Sequence, residues 1–377
     1  RCTSRSGYPT ASSTSIARNA SVAAMTLRDP TSSKPSASPK AASSLEAPVT
    51  HGGDLGAARM QFPDAPEPIV DLSTGVNPHP YSIGDIGAEV FARLPEPAAL
   101  ARLASIAAAF YGAPSPKHVV AAPGSQVLMA MIADLVPQGR AAMLGPTYAE
   151  HARVAALGGR DVSEVEALDN FGEASLAVVV NPNNPTGRLV SRDELMAVAE
   201  RAPRRGGVLV VDEAFMEVGP EETSLAGCVD RAPIAVLRSF GKFFGLSGLR
   251  LSFAVTNRQL ASQLRARLGP WPVSGPAISI GSTALADQAW IAEMRVRLGA
   301  ASERLTSLLQ TSGLTTIGRT DLFCLVKTKD AQQVFATLGR AGIFVRRFDE
   351  YPQLLRFGLP GNEIEWRRLS DALQALS

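Results

Sequence analysis

A single lysine, Lys242, lies between aromatic residues and glycines in the segment RSFGKFFGLSGLR, residues 238–250. A lysine that is partly desolvated in such a turn can lose its proton near neutral pH and form a Schiff base with a carbonyl. Ser239 and Arg250 flank it with a hydroxyl and a guanidinium, the donors that bind a phosphate monoester. A lone loop lysine is more often a solvated surface charge, so this interpretation depends on the residues that accompany it.

A second anion site is predicted in APGSQVLMA, residues 122–130. Gly124, Ser125 and Gln126 open a helix directly after an apolar strand, and the first turn of a helix offers unpaired N–H groups and a positive dipole end. Ordinary capping between a strand and a helix is the alternative explanation.

Three further side chains follow strand ends. Asp212 closes the apolar run of VVDEAF, where a carboxylate needs a cationic partner, such as a protonated ring nitrogen, or else caps the next turn. Asn184 lies in NPNNPTG (181–187), whose Asn-Pro and Thr-Gly steps predict a rigid turn that fixes its side chain. Tyr148 in GPTYAEH offers a flat face for stacking, or is a core residue.

The elements that must position these residues alternate in type from residue 51 onward. This rhythm predicts an α/β fold with a mostly parallel sheet, in which ligands bind at the carboxyl ends of strands. The predicted strands of the large sheet are 118–123, 141–146, 176–181, 207–214, 234–239 and 251–255. The predicted helices are 97–111, 125–136, 192–202, 257–268 and one long helix over 277–311. A small α+β module follows, with strand 320–328, a helix near 330–341, and the segments GIFVRRF and LLRFGLP.

The predicted domains follow from this pattern. Residues 91–275 form the large domain, and residues 276–377 form a linking helix and the small domain, which residues 51–90 join. Residues 1–50 are rich in Ser, Ala, Thr and Pro without a period, which predicts disorder. They are either an organellar transit peptide or a dispensable extension, and composition favours the second because it is a weak targeting signal.

A Schiff-base lysine, a phosphate cradle, an acid for a pyridinium, a donor for a ring hydroxyl and a stacking ring together fit pyridoxal 5'-phosphate. The order N-P-N-N-P-T-G, D-E-A-F, S-F-G-K, G-L-R resembles the fold-type I pyridoxal-phosphate enzymes of the aminotransferase superfamily, over essentially all of 51–377. The resemblance implies that Lys242 binds the cofactor aldehyde, Asp212 pairs with the pyridine nitrogen, Asn184 bonds the ring hydroxyl and Tyr148 stacks on the ring. It assigns the cofactor phosphate to Ser125, Ser239 and Arg250, with backbone help from Gly124 and Gln126.

Within that superfamily, HGGDLGAA (51–58) and DLSTGVNPHP (71–80) are most similar to the threonine-phosphate decarboxylases of cobalamin biosynthesis, relatives of histidinol-phosphate aminotransferase. The resemblance implies decarboxylation of O-phospho-L-threonine and a homodimer. Phe215 stands where the aminotransferases usually have Tyr, and Leu94 departs from a Tyr that in many relatives reaches the partner subunit's cofactor phosphate. The residues themselves leave decarboxylation and histidinol-phosphate-type transamination open, because both use the same groups.

The predicted substrate contacts lie at both ends of the chain. Arg346 and Arg356 are in the small module where relatives clamp the substrate anions, and two guanidiniums suit a phosphate and a carboxylate. A solvated arginine is the alternative, and it suits the neighbouring Arg347 better. The motif resemblance adds substrate contacts at His51, Gly52 and Asn77.

Composition restricts the possible partners. The chain has 377 residues and a formal net charge of +2, so bulk charge favours neither nucleic acid nor an anionic membrane, and no run approaches the roughly twenty apolar residues of a membrane span. Cys2, Cys228 and Cys324 lack the spacing of a metal site or a disulfide framework, which suits free thiols in the cytoplasm. A ligand-sensing domain of a transcription regulator would need a basic winged-helix segment, which residues 1–50 do not resemble. A catalytically inactive paralogue is disfavoured because the lysine, the acid and the asparagine are all present.

Overall fold

A computed structural model describes residues 51–201 and 206–376. The expectations for residues 1–50 and for Cys2 lie outside the described residues. The strands are β1 (Val70–Leu72), β2 (Val119–Ala122), β3 (Arg140–Leu144), β4 (Asp161–Val165), β5 (Leu176–Val180), β6 (Val208–Asp212), β7 (Ile234–Ser239), β8 (Ser252–Thr256), β9 (Thr315–Thr320), β10 (Phe323–Lys327), β11 (Ile343–Arg347) and β12 (Leu354–Gly358). The helices are α1 (Leu55–Gln61), α2 (Glu89–Ala92), α3 (Pro97–Tyr111), α4 (Ser125–Leu135), α5 (Glu150–Leu157), α6 (Arg192–Arg201), α7 (Phe240–Phe243), α8 (Arg258–Leu268), α9 (Gly275–Ala286), α10 (Gln288–Thr311), α11 (Ala331–Arg340) and α12 (Glu363–Gln374).

The large sheet has the strand order β2-β8-β7-β6-β5-β3-β4. The neighbouring strands β4, β3, β5, β6 and β7 pair in parallel, and β8 runs antiparallel to both β7 and β2. The predicted mostly parallel sheet is therefore confirmed. The parallel strands β6 and β7 end at Asp212 and Ser239, so two of the predicted site residues lie at the carboxyl edge where ligands bind in such sheets.

Both faces of this sheet are buried because its strands are continuous apolar runs. Successive residues of a strand point to opposite faces, so Val178 packs in one apolar cluster and Val179 in the other. The cluster containing Val178 includes residues of α4 and α8, and the cluster containing Val179 includes residues of α3, α9 and α10. Helices thus cover the sheet on two sides, as a parallel sheet requires.

A second sheet has the order β1-β11-β12-β10-β9. Its first strand comes from the N-terminal part of the chain: β1 pairs in parallel with β11, with Val70 opposite Ile343. We therefore propose that residues 51–90 join the C-terminal module and that the domain boundaries lie near residues 91 and 276.

The single long helix predicted over 277–311 is wrong. The structure has two helices there, α9 and α10, separated by Asp287. The Asp287 carboxylate accepts a hydrogen bond from Trp290 N at 3.0 Å and one from Tyr81 Oη at 3.1 Å. A side chain that caps a new helix competes with continuation of the old one, so the chain turns at this residue.

Strands β1, β4 and β9, each at the edge of its sheet, were not among the predicted elements. β4 pairs only with β3 at one edge of the large sheet, and its sequence, DVSEV, carries two acids and a serine. Edge strands are partly exposed and can be polar, so their sequences lack the apolar run that identifies a central strand.

Cys228 and Cys324 are buried free thiols, which confirms the prediction for these two residues. Within the described ranges, the structure has no helix that is both long and apolar enough to cross a bilayer.

Candidate active site

The lysine turn begins where β7 ends. Ser239 is the N-cap of the one-turn helix α7, which contains Lys242. Gly241 is required here because a Cβ atom would lie 2.6 Å from Ser247 Cα. The turn is also held from the N-terminal segment, since Asn77 N donates to Lys242 O at 2.9 Å and Asn77 Nδ2 donates to Phe243 O at 2.8 Å. The backbone around the lysine is therefore fixed before any ligand binds.

The amine of Lys242 lies in a half-buried environment with Nζ 5.9 Å from the centre of the Phe215 ring. Burial, followed by the positive charge of Arg356, lowers the pKa of Lys242 to about 8, and Asp212 opposes part of this shift. A substantial fraction of the amine is then neutral near physiological pH. This is the nucleophilic state that Schiff-base formation needs.

Asp212 has a buried partner that the sequence analysis did not identify. Its side chain is almost completely buried, and Oδ2 lies 2.8 Å from His151 Nε2. The other oxygen, Oδ1, accepts from Ala214 N at 3.1 Å, so the carboxylate also caps the turn that follows β6. The signal that could have revealed His151 is its position in GPTYAEH, three residues after Tyr148 and at the start of α5.

Tyr148 lies in the same group, half-buried, with its ring centre 6.0 Å from that of His151 in an edge-on arrangement. Burial raises the pKa of Tyr148 to about 12, so the phenol stays protonated. Its ring is also 5.9 Å from the ring of His51. Tyr148, the predicted stacking residue, thus lies near both Asp212 and His51.

The two predicted anion sites come together at Arg250. This residue has a left-handed backbone, with φ of 55°, which is uncommon for a residue with a side chain. Its guanidinium lies against the backbone at Gly124, where a Cβ atom would be 2.5 Å from Arg250 Nη2. Ser125 begins α4 next to it, so N–H groups of a helix start and a guanidinium share one small volume. This donor set fits a phosphate monoester.

The NPNNPTG turn directs one of its asparagines to the site and uses the others structurally. Asn183 Nδ2 donates to Pro146 O at 2.8 Å, and Asn181 Nδ2 donates to Val190 O at 3.0 Å. Asn184 Oδ1 instead accepts from Arg356 Nη1 at 2.5 Å. Since Oδ1 is engaged, the Nδ2 group of Asn184 is the part of the amide that can donate to a ligand.

The two predicted substrate arginines lie opposite each other on antiparallel strands, Arg346 on β11 and Arg356 on β12. Burial and the charge of Arg346 lower the pKa of Arg356 to about 10. Arg356 Nη2 donates to Ser73 O at 2.8 Å, whereas its buried Nε has no hydrogen-bond partner among the described residues. Directly opposite like charges are unfavourable, so this pair is suited to an anion between them. Arg347 instead donates to Gln332 Oε1 at 2.6 Å.

The remaining predicted contacts come from the N-terminal segment. His51 Nε2 lies 3.0 Å from Glu150 Oε1. A Cβ atom on Gly52 would be 2.3 Å from Ser73 O, so this glycine allows the segment to pass close to the backbone that Arg356 binds. Asn77 stays a predicted substrate contact, although its amide is engaged, with Nδ2 on Phe243 O and Oδ1 accepting from His79 N at 2.8 Å. In the described part of the chain, no three His, Cys, Asp or Glu side chains are grouped to hold a metal ion.

The chain is similar to known proteins over most of its length. Residues 88–373 match the family described as aminotransferase class I and II. The chain is 40% identical over 328 residues to the threonine-phosphate decarboxylase of Pseudomonas aeruginosa, covering 86% of this chain and 97% of that protein. A threonine-phosphate decarboxylase of Sinorhizobium sp is 39% identical over 340 residues, covering 87% of this chain and 98% of the relative.

Among solved structures, the histidinol-phosphate aminotransferase of Clostridium acetobutylicum superposes with a TM-score of 0.73 at 20% identity, covering 82% of this chain and 99% of that one. At this identity the similarity concerns the fold, and it confirms the predicted fold-type I architecture. The expected resemblance to threonine-phosphate decarboxylases is confirmed by the curated relatives. The chain belongs to the class I and II aminotransferase family of pyridoxal-phosphate-dependent enzymes.

Proposed function

We propose that this enzyme decarboxylates O-phospho-L-threonine to (R)-1-aminopropan-2-ol O-2-phosphate and CO2 in cobalamin biosynthesis. The observation that carries the proposal is the opposed pair Arg346 and Arg356, of which Arg356 is near enough to Lys242 to lower its pKa. O-phospho-L-threonine carries a phosphate and a carboxylate, so it offers one anion to each guanidinium. Histidinol phosphate, the donor of the alternative aminotransferase reaction, has a phosphate but no carboxylate.

The proposed cofactor contacts are those that the family resemblance implies. Lys242 would bind the aldehyde of pyridoxal 5'-phosphate, and Asp212, oriented by His151, would keep a proton on the pyridine nitrogen. The Nδ2 group of Asn184 would donate to the ring hydroxyl, and Tyr148 would stack on the ring. The phosphate is held by Ser125, Ser239 and Arg250 and by backbone N–H groups of Gly124 and Gln126.

Pyridoxal 5'-phosphate, when bound, accepts the electron pair of the bond that breaks at the substrate Cα. The residues around the substrate would determine which bond breaks. Arg346 and Arg356 would hold its carboxylate and its phosphate and so orient Cα for loss of CO2. Lys242 would supply the proton that Cα takes up after CO2 has left, a role that its lowered pKa allows. Phe215, at the position of a phenol in many aminotransferases, leaves Asn184 as the main donor to the ring hydroxyl.

The deciding experiment incubates the cofactor-loaded protein with O-phospho-L-threonine and measures CO2, and separately measures keto acid after addition of 2-oxoglutarate. We expect CO2 without keto acid. Keto acid without CO2, with histidinol phosphate as the better donor, would instead establish the aminotransferase. The Lys242→Ala variant is the control, since it should lose both turnover and the visible absorbance of the lysine-bound cofactor.

Two copies of the chain are proposed to associate in the cytoplasm as a homodimer. Among the exposed large apolar side chains of the described residues, three lie close together in the sequence: Ile83 is 54% exposed, Phe91 67% and Leu94 66%. Exposed apolar residues that form a contiguous patch are typical of an interface. Leu94 cannot supply the phenol by which many relatives reach the partner's cofactor phosphate, so the proposed dimer places an aliphatic contact there.

A further inference from the structure

Glu150 is a buried carboxylate at the first position of α5, beside the proposed site. Its side chain is 5% exposed, whereas that of its partner His51 is 41% exposed. His51 Nε2 is the nearest polar group, 3.0 Å from Glu150 Oε1. The other oxygen faces Arg153 Nη1 at 3.4 Å and Gln126 Nε2 at 3.5 Å, both longer contacts. The carboxylate therefore directs its shortest contact to a residue that is open to ligands.

This contact determines which ring nitrogen of His51 is available to a ligand. Because Nε2 is held by a carboxylate, Nε2 carries a proton and donates it to Glu150, which leaves Nδ1 for a ligand. Nδ1 and a phosphate oxygen can then share one proton, and a hydrogen bond forms whichever of the two atoms carries it.

The location of the pair connects it to the site. The His51 ring is 5.9 Å from Tyr148, the proposed stacking residue, and Gln126 belongs to the proposed phosphate cradle. The residue after Glu150 is His151, which holds Asp212. The charged and titratable groups that face the pair are Arg153 and Tyr148.

We infer that Glu150 is a positioning residue that orients the His51 ring through Nε2, so that Nδ1 is directed to the phosphate of the substrate. This inference rests on the proposed binding of a phosphorylated amino acid and names how this site distinguishes it from its unphosphorylated counterpart. Two successive residues of α5 then have separate tasks: Glu150 acts on the substrate through His51, and His151 acts on the cofactor through Asp212.

The test compares Glu150→Gln, which removes the charge but keeps the shape, with His51→Gln and with the double variant. Glu166→Gln is the matched control, because Glu166 is an exposed acid on the same domain. Binding of O-phospho-L-threonine and of L-threonine to the cofactor-loaded protein is followed by the change in visible absorbance, and KM and kcat are measured for CO2 release.

We expect Glu150→Gln to weaken binding of O-phospho-L-threonine and raise its KM about tenfold while kcat changes less than about twofold. Binding of L-threonine should not change. The double variant should be no weaker than His51→Gln, because Glu150 acts through that histidine. Equal losses for both amino acids, additive effects of the two substitutions, or wild-type binding in Glu150→Gln would each overturn the inference.

The binding measurement separates this inference from the proposed reaction. If the wild-type protein released no CO2, the decarboxylase proposal would fail, but the ratio of the two dissociation constants would still report whether Glu150 selects the phosphorylated ligand. If CO2 were released and the ratio were the same in wild type and Glu150→Gln, the reaction would stand and the role of Glu150 would be rejected.

Discussion

His151 Nε2 lies 2.8 Å from Asp212 Oδ2, and both side chains are nearly excluded from solvent. A buried carboxylate without a donor would be destabilised in its charged form. The histidine supplies a donor to Oδ2, so the carboxylate of Asp212 is held in place at the end of β6. In the proposed reaction, a proton held on the pyridine nitrogen would need an acid–base partner of fixed position.

We predict that His151→Phe lowers kcat by about ten- to a hundredfold, since a hydrogen bond to a charged group contributes about 1.5–3 kcal/mol. The measurement is steady-state CO2 release together with the visible spectrum, which shows whether cofactor is retained. Asp212→Ala should lower kcat further, and adding His151→Phe to it should have little additional effect. Unchanged kcat in His151→Phe would contradict the proposed orientation of Asp212.

The lowered pKa of Lys242 predicts a pH dependence of stability in the cofactor-free protein. The lysine titrates near pH 8 when folded and near its ordinary value of 10.5 when unfolded, so the unfolded chain binds more protons between these values. The free energy of unfolding should therefore rise with pH from about 8 to 10.5, by on the order of 2 kcal/mol. Urea unfolding at several pH values measures it.

Lys242→Met provides the reference for that experiment, because methionine has similar length and no charge. The difference in unfolding free energy between the two proteins isolates the lysine from cysteines and tyrosines that titrate in the same range. A difference that does not vary with pH would show that the folded lysine keeps its ordinary pKa.

We predict that Asn77→Ala destabilises the protein by about 2 kcal/mol, because it leaves the buried Phe243 carbonyl and His79 N–H without their side-chain partners. Asn77→Asp should destabilise the protein at least as much, because it keeps the acceptor for His79 N but places a buried carboxylate oxygen against the carbonyl of Phe243. Chemical denaturation measures both. Wild-type stability in Asn77→Ala would show that the lysine turn does not depend on this clamp.

Arg356→Lys should raise KM for O-phospho-L-threonine about a hundredfold, because an ammonium cannot replace a guanidinium that bonds Asn184, Ser73 and a substrate anion at once. Arg347→Lys is the control on the neighbouring strand, since Arg347 contacts Gln332 instead. Equal KM values in the two variants would show that Arg356 does not bind the substrate.

The proposed dimer predicts that Phe91→Glu combined with Leu94→Glu produces a monomer in sedimentation experiments, because two charges would be buried in an apolar interface. Val296→Glu is the control, since Val296 is 76% exposed on α10. A wild-type protein that sediments as a monomer, or a double variant that stays dimeric, would rule out this surface.

The sequence identified the elements and residues whose signals are local. The apolar runs of β5, β6 and β7 predict central strands, and the polar residues that end them predict where chemistry takes place. Glycine and proline mark the turns at Gly124 and NPNNPTG because few other residues adopt those backbone conformations. These features depend on neighbours a few positions away along the chain.

Tertiary structure alone decided which side chains meet. His151 and Asp212 are 61 residues apart in the chain, His51 and Glu150 99, and Asn77 and Phe243 166. Nothing in the periodicity around Glu150 distinguishes a buried acid from a capping residue, and the bend at Asp287 depends on contacts with Tyr81 and Trp290. The local sequence thus determined the lysine, the acid and the anion sites, whereas the partners that set their charge and orientation were decided by packing between distant segments, which carries no short-range pattern.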